Sequence, residues 1–266
     1  MIHDTHACDR RICALWLRQS VLLAATLGSV TAAQAITGSV TVYWDTLKIQ
    51  IDDSDPSDGI TPQLSWSDQV TASGANRAGP LAATAEPDWT TPGGLSFTDS
   101  SLQLTTAFDA ARLQVDAASS GGGPSGTIVY RYGQLQLSGA GRVTVSVDME
   151  AHVSATPAEL LWRGGVYGQV WPYADANLFF ADTSSIDNTL STVDYLRADL
   201  GTWGLDRYGT LTTSIDLAAG QAVYLFTQPG VVLNPVPEPQ SWALLLFGLA
   251  SLAGWTMTCR ARRTKP

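Results

Sequence analysis

The chain has 266 residues, a formal net charge of −9 and a sequence pI of about 4.6. This acidic balance argues against a nucleic-acid-binding protein, because such proteins carry an excess of basic residues. Charged residues make up only 15% of the chain and hydrophobic residues 45%, which excludes a charge-rich disordered chain.

The basic residues are concentrated at the two ends of the chain. Between Ile36 and Asn234 the sequence has 8 basic and 21 acidic residues, so this middle part has a net charge of −13. All three cysteines lie outside the middle part, and His152 is its only histidine. The middle part therefore lacks the thiolates for a disulfide scaffold and the ligands for a zinc site.

The N-terminal segment has the three parts of a secretory signal peptide. A ten-residue apolar core, VLLAATLGSV, spans residues 21–30, and Ala33 and Ala35 supply the small residues that a signal peptidase requires. The positive charges in front of the core are Arg10, Arg11 and Arg18. We expect residues 1–35 to be a signal peptide and signal peptidase to cut after Ala35; the alternative is a short buried helix.

Near the C-terminus, the segment WALLLFGLASLAGWTMT (242–258) has no charged residue. As a helix it is about 25 Å long at 1.5 Å per residue, close to the lower limit for crossing a bilayer. The basic residues that follow it are Arg260, Arg262, Arg263 and Lys265. The sequence therefore predicts one transmembrane helix, with the basic end in the cytoplasm and the middle part outside.

Directly before this span stands the tripeptide Pro237-Glu238-Pro239. The tripeptide, the short apolar span and the basic end, in this order, resemble the PEP-CTERM sorting signal. In that family an integral-membrane cysteine protease or transpeptidase, the exosortase, recognises and processes the tail. The family's proteins are exported by Gram-negative bacteria that make extracellular polysaccharide.

The resemblance covers residues 235–266 and implies roles for particular side chains. The residues implied in exosortase recognition and processing are Pro237, Glu238, Pro239, Arg260, Arg262 and Arg263. Two prolines keep the neck extended, which is the form that a protease cleft binds. The alternative is an ordinary C-terminal anchor with a proline-rich neck.

The middle part, residues 36–234, is predicted to be one all-β domain. The clearest strand is 141–154, where valines alternate with polar residues over twelve positions. We expect residues 127–139 to pair with it as a hairpin through Gly139-Ala140-Gly141. Other predicted strands are 39–51, 62–68, 95–109, 165–173, 209–217 and 221–228, and 111–119 is ambiguous between strand and helix. Many short strands with glycine-rich connections indicate an antiparallel β-sandwich or jelly roll.

Two stretches of the middle part are candidate binding sites. Asp53, Asp55 and Asp58 offer closely spaced oxygens to Ca²⁺, although a solvated turn explains the same residues. Trp171 and Tyr173 lie close to Asp175 and Asn177 in the sequence. Aromatic faces flanked by polar groups are suited to sugars, whereas burial in the core is the alternative for both rings.

Catalysis has little support in the sequence. His152 lies on the polar side of strand 141–154, no GxSxG nucleophile motif is present, and a Ser-His-Asp triad would form only in space. We therefore expect no catalytic residue and no cofactor other than the Ca²⁺ considered above.

The expected protein is an exported surface or extracellular-matrix component. Signal peptidase and an exosortase are its expected processing partners, with transient insertion in the inner membrane and association with extracellular polysaccharide or biofilm. The alternatives are a carbohydrate- or calcium-binding module and a secreted hydrolase.

Overall fold

The computed structural model describes residues 36–77, 79–120, 124–155, 172–199 and 205–233. This part of the chain is all β: 76% of it lies in strands, the strands pair antiparallel and no helix is present. Within it, no helix is long and apolar enough to cross a membrane. The predicted signal peptide, the PEP tripeptide and the span 242–258 lie outside the described residues, as does Trp171.

The described residues form thirteen strands: β1 (Ile36–Asp53), β2 (Leu64–Arg77), β3 (Pro80–Glu86), β4 (Gly93–Thr98), β5 (Leu102–Phe108), β6 (Leu113–Ser119), β7 (Ser125–Leu137), β8 (Gly141–Ser154), β9 (Tyr173–Asp182), β10 (Ser185–Thr189), β11 (Asp194–Asp199), β12 (Asp206–Leu217) and β13 (Ala222–Leu233). Six of them form one sheet in the order β12-β8-β1-β6-β5-β4. The other sheet has the order β10-β9-β13-β7-β2-β3, with β11 also paired to β9. The predicted antiparallel sandwich is confirmed.

The core lies between the two sheets and follows from period-2 alternation. On β8, Val143, Val145 and Val147 are fully buried, while the intervening residues lie on the outer side of the strand. Val223, Leu225 and Val231 of β13 join the same buried cluster from the opposite sheet. Each sheet therefore has one inner apolar face, and the chemistry of its outer face is free to vary.

The predicted hairpin between 127–139 and 141–154 is wrong. β7 pairs with β2 and β13 in the seven-stranded sheet, whereas β8 pairs with β1 and β12 in the six-stranded sheet. The connection crosses from one sheet to the other, so that Leu137 and Val143 both reach the core, fully buried, from opposite sides. Alternation shows that each strand has an apolar side, but it does not show which strand is its neighbour.

Other strand predictions changed in detail. The predicted strand 95–109 is divided into β4 and β5, because the Asp99 carboxylate accepts hydrogen bonds from the backbone N–H groups of Ser101 (2.7 Å) and Leu102 (2.8 Å) and stabilises a turn. The ambiguous segment 111–119 contains a strand, β6. Strand β3 was not predicted; its sequence, PLAATAE, is rich in alanine, which has low strand propensity.

A buried arginine lies on the core-facing side of β7. Arg131 is fully buried and donates hydrogen bonds from Nε to Thr71 Oγ1 (2.9 Å) and from Nη2 to the Asp109 carbonyl (2.7 Å). Its guanidinium lies 5.3 Å from the centre of the Trp44 ring. Burial lowers the pKa of Arg131 to about 10. Because Arg131 faces inward, its neighbours Tyr130 and Tyr132 face outward.

Candidate functional site

The outer face of the six-stranded sheet, here the polar face, is covered by small polar side chains. Cross-strand neighbours form rows, and one row runs from Asp206 through His152 and Ser39 to Asp116 and Thr105. A depression of about 310 Å³ lies between Ser39, Thr105 and Asp116. Burial raises the pKa of Asp116, opposed by a hydrogen bond from Gln114.

The polar face brings His152 together with two residues that the sequence did not connect to it. His152 Nδ1 pairs with the Asp206 carboxylate, and Ser39 lies opposite His152 on β1. The His152 and Asp206 side chains are 49% and 58% exposed. This part of β8 pairs with β1 on one side and β12 on the other. Its backbone N–H groups therefore donate hydrogen bonds to these strands and are not directed at a substrate oxyanion.

The outer face of the seven-stranded sheet, here the aromatic face, is very different. Its outward side chains include a cluster of rings that is separate from the main core, formed by Phe179, Phe226, Tyr130, Tyr132 and Tyr224. Phe226 is the centre of the cluster, with ring centroids 5.1 Å from Phe179 and 5.9 Å from both Tyr130 and Tyr132. Only 4% of Phe226 is exposed, because neighbouring rings cover it.

Next to the ring cluster, four cross-strand neighbours form a row, here called the tyrosine–amide row: Tyr195, Asn177, Gln228 and Tyr130. Tyr195 of β11 lies opposite Asn177 of β9, and Asn177 lies opposite Gln228 of β13. The register between β13 and β7 then places Gln228 opposite Tyr130. Tyr195 is 52% exposed, and Asn177 Oδ1 is buried without a hydrogen-bond partner in the described structure. Two aromatic rings therefore flank two amides across four strands.

Asp175, Arg197 and Tyr173 form a half-buried polar group beside the tyrosine–amide row. Asp175 lies opposite Arg197, and burial raises the pKa of Asp175 to about 6 although Arg197 opposes the shift. Arg197 Nε lies 3.5 Å from Asp199 Oδ2. The Arg197 guanidinium also lies 3.8 Å from the centre of the Tyr173 ring, a cation–π contact. Tyr173, predicted as a sugar ligand, therefore has one ring face occupied by Arg197.

An open trough of about 820 Å³ continues from the Tyr130 end of the row across β2 and β3. Its floor consists of small side chains, among them Ala72, Gly74, Ala83 and Ala85. Because Tyr130 and Ile128 of β7 are much larger than these residues, they form its wall. The trough is apolar and shallow, and it is continuous with the tyrosine–amide row.

The candidate calcium loop uses its carboxylates within its own turns. Asp53 Oδ1 accepts the Asp55 N–H (2.9 Å), Asp55 Oδ1 accepts the Ser57 hydroxyl (2.6 Å), and Asp58 Oδ1 accepts the Ile60 N–H (2.7 Å). Within the described residues, no group of three or more His, Cys, Asp or Glu side chains is placed to hold a metal ion. The geometry fits the turn interpretation, and calcium binding stays an untested alternative.

Sequence reasoning did not identify Tyr130, Tyr195 or Gln228. A signal for Tyr130 exists, because the period-2 pattern of YRYGQLQ puts Tyr130, Tyr132 and Gln134 on one side of a strand. Tyr195 and Gln228 come from distant segments and meet only through the pairing of β11, β9, β13 and β7. No local pattern could have placed them together.

The molecule thus combines an all-β domain that has two contrasting outer faces with a separate C-terminal segment. Residues 235–263 of that segment match the PEP-CTERM protein-sorting motif. The chain therefore carries a PEP-CTERM sorting motif, which implies processing by an exosortase. The motif also implies an exported, membrane-anchored precursor that is then delivered to the cell surface. No curated protein and no solved structure matches the chain.

Proposed function

We propose that the mature protein is a non-catalytic component of the cell surface or extracellular matrix that associates with extracellular polysaccharide. The observation that carries the proposal is the aromatic face: rings and amides occupy the outer side of a sheet in a domain that the sorting motif assigns to export. The exposed ring of Tyr195 and the half-buried rings of Tyr130 and Tyr132 give this face the apolar surface that supports an interaction role. Polysaccharide is the partner that the sorting class favours.

Association with polysaccharide is tested in a host that carries an exosortase and secretes polysaccharide. An epitope tag inserted within residues 121–123, before β7 begins, lets the protein be followed. We expect tagged protein to co-sediment with the extracellular polysaccharide and to be released when a glycosidase degrades it. Protein that stays in the same fraction with and without polysaccharide synthesis would contradict the proposal.

Delivery is tested separately by changing the tail. Replacement of Pro237, Glu238 and Pro239 by alanine leaves the span 242–258 unchanged, so membrane insertion should continue while exosortase processing stops. Uncleaved protein should then accumulate in the inner membrane. Equal processing of the wild type and the triple variant would argue for a plain anchor.

The N-terminus of the exported protein should be Ile36, as Edman sequencing would show.

A secreted hydrolase is the second candidate, and the Asp206–His152 pair opposite Ser39 is the observation that favours it. It ranks lower because both partners of the pair are about half exposed and the backbone of β8 at His152 is paired with β1 and β12. Turnover of ester or glycoside substrates that disappears in both His152→Ala and Ser39→Ala would favour the hydrolase.

A further inference from the structure

We propose that the tyrosine–amide row is the binding site for a neutral, extended glycan chain, which lies across β11, β9, β13 and β7 and continues into the trough. This inference rests on the proposed function and assigns the residues that would carry it.

The shape of the row suits an extended chain. Adjacent strands are about 4.8 Å apart, so the three steps from Tyr195 to Tyr130 span about 14 Å. A short oligosaccharide covers this distance with an aromatic ring under each end and amides between them. Beyond Tyr130, the small side chains of Ala72 and Ala85 lower the surface, so a longer chain can continue without a steric barrier.

The polar atoms of the row suit hydroxyl groups. Gln228 and Asn177 each offer an amide donor and an amide acceptor. Asn177 Oδ1 has no partner within the described structure, and a buried acceptor without a donor costs free energy. Because Asn177 Oδ1 is buried, Gln228, which is only partly buried, is the amide that a glycan hydroxyl reaches. The Asp175 carboxyl in the next row adds acceptors for a second hydroxyl.

Charge selects among possible partners. The domain carries −13 between Ile36 and Asn234, so a polyanionic glycan or an anionic membrane surface is repelled. The cation beside the row, Arg197, is already engaged with Asp199 and the Tyr173 ring. A purely apolar partner would leave the amide of Gln228 unsatisfied.

The experiment compares two exposed tyrosines, one on each outer face. The protein is produced in the exosortase-bearing host, purified in its processed form and titrated with cellohexaose and chitohexaose as neutral probes and with polygalacturonate as an acidic probe. We expect a neutral probe to bind and the acidic probe not to bind. Tyr195→Ala should weaken binding at least tenfold, while Tyr208→Ala, on the polar face and 74% exposed in the wild type, should leave it unchanged.

Further variants separate loss of the site from loss of the fold. Gln228→Ala should also weaken binding, Tyr195→Phe should retain it because the ring is kept, and melting curves should show that all variants are folded. The inference is overturned if no neutral probe binds, if only polygalacturonate binds, or if Tyr195→Ala and Tyr208→Ala behave alike. In each case the co-sedimentation experiment can still succeed, so failure of this site is distinguishable from failure of the proposed function.

Discussion

The two outer faces of the sandwich differ more than its two inner faces do. Both inner faces are closely packed and apolar, and they share one core. On the polar face the outward residues of β8 are the polar or charged alternates of a valine-rich strand. On the aromatic face the outward residues of β7, β9 and β13 include Tyr130, Phe179 and Phe226, which pack on one another.

This difference shows that the core does not dictate the chemistry of an outer face. A sandwich needs one apolar face per sheet, and the polar face shows that the other side can be solvated. The aromatic face adds apolar surface that the core does not need. The ring cluster is a second layer of packing outside the core. Its contribution to the free energy of unfolding can therefore be measured separately from any binding.

The largest expected effect comes from truncating the centre of the ring cluster. Phe226→Ala removes a ring that contacts Phe179, Tyr130 and Tyr132, so the free energy of unfolding should fall by about 3 kcal/mol. The matched control is Tyr208→Ala on the polar face, which should cost less than about 1 kcal/mol because that ring is mostly solvated. Denaturant unfolding of both variants measures the difference. Equal losses would mean that the two faces do not differ energetically.

The second effect concerns Asp175 and has a defined pH window. Burial raises the pKa of Asp175 from 3.8 to about 6 in the folded protein, so the folded state binds the proton more tightly than the unfolded state. Stability from this group is fully present below about pH 3.8 and is lost as the pH rises to about 6. Asp175→Asn should therefore stabilise the protein at pH 7, on the order of 1–3 kcal/mol.

The control for this effect is Asp116→Asn on the polar face. Burial also raises the pKa of Asp116, but a hydrogen bond from Gln114 opposes the shift, so the change should have the same sign and be smaller. Thermal melts between pH 4 and pH 7 provide the measurement. If Asp175→Asn keeps the wild-type pH dependence over this range, Asp175 is not the group responsible.

The sequence allows the fold class to be predicted but not the arrangement of the strands. Alternation in β8 is unambiguous because its valines and polar residues are well separated in hydrophobicity. In β7 the alternation is present, yet hydrophobicity would place Tyr130 inside and Arg131 outside. The reverse occurs because Thr71, the Asp109 carbonyl and Trp44, from other segments, contact the buried guanidinium, although its Nη1 has no hydrogen-bond partner in the described structure.

The candidate site was predictable only in part. Asn177 and Asp175 were noted beside Tyr173, because they lie together in the sequence. The contact that covers one face of the Tyr173 ring comes from Arg197, and the exposed ring of the row comes from Tyr195, both on β11. A partner supplied by a paired strand has no local signature, so residue composition near Tyr173 could not show that an exposed ring of β11 lies beside it. Tyr173 as a sugar ligand stays a prediction.

A smaller effect is expected on the polar face from the His152–Asp206 pair. Both side chains are about half exposed, and solvated ion pairs contribute about 0–1 kcal/mol. A double-mutant cycle with His152→Ala and Asp206→Ala should give a coupling energy below about 1 kcal/mol at pH 6. A coupling well above that value would show that the polar face contains a more strongly organised site than its exposure implies.

The smallest expected effect lies in the loop that follows β1, at the border of the polar face. The carboxylates of Asp53, Asp55 and Asp58 each accept a hydrogen bond from a residue two positions further along. Such turns form without metal. Asp55→Asn keeps an acceptor oxygen for the Ser57 hydroxyl, so it should change the free energy of unfolding by less than about 0.5 kcal/mol.

Adding millimolar Ca²⁺ should leave the melting temperature of the wild type unchanged. If these aspartates do ligate Ca²⁺, the ion should instead raise the wild-type melting temperature by mass action, and Asp55→Asn should abolish that rise. The loop would then be a calcium site that adjoins the polar face, and the contrast between a purely solvated face and a ligand-binding one would no longer hold.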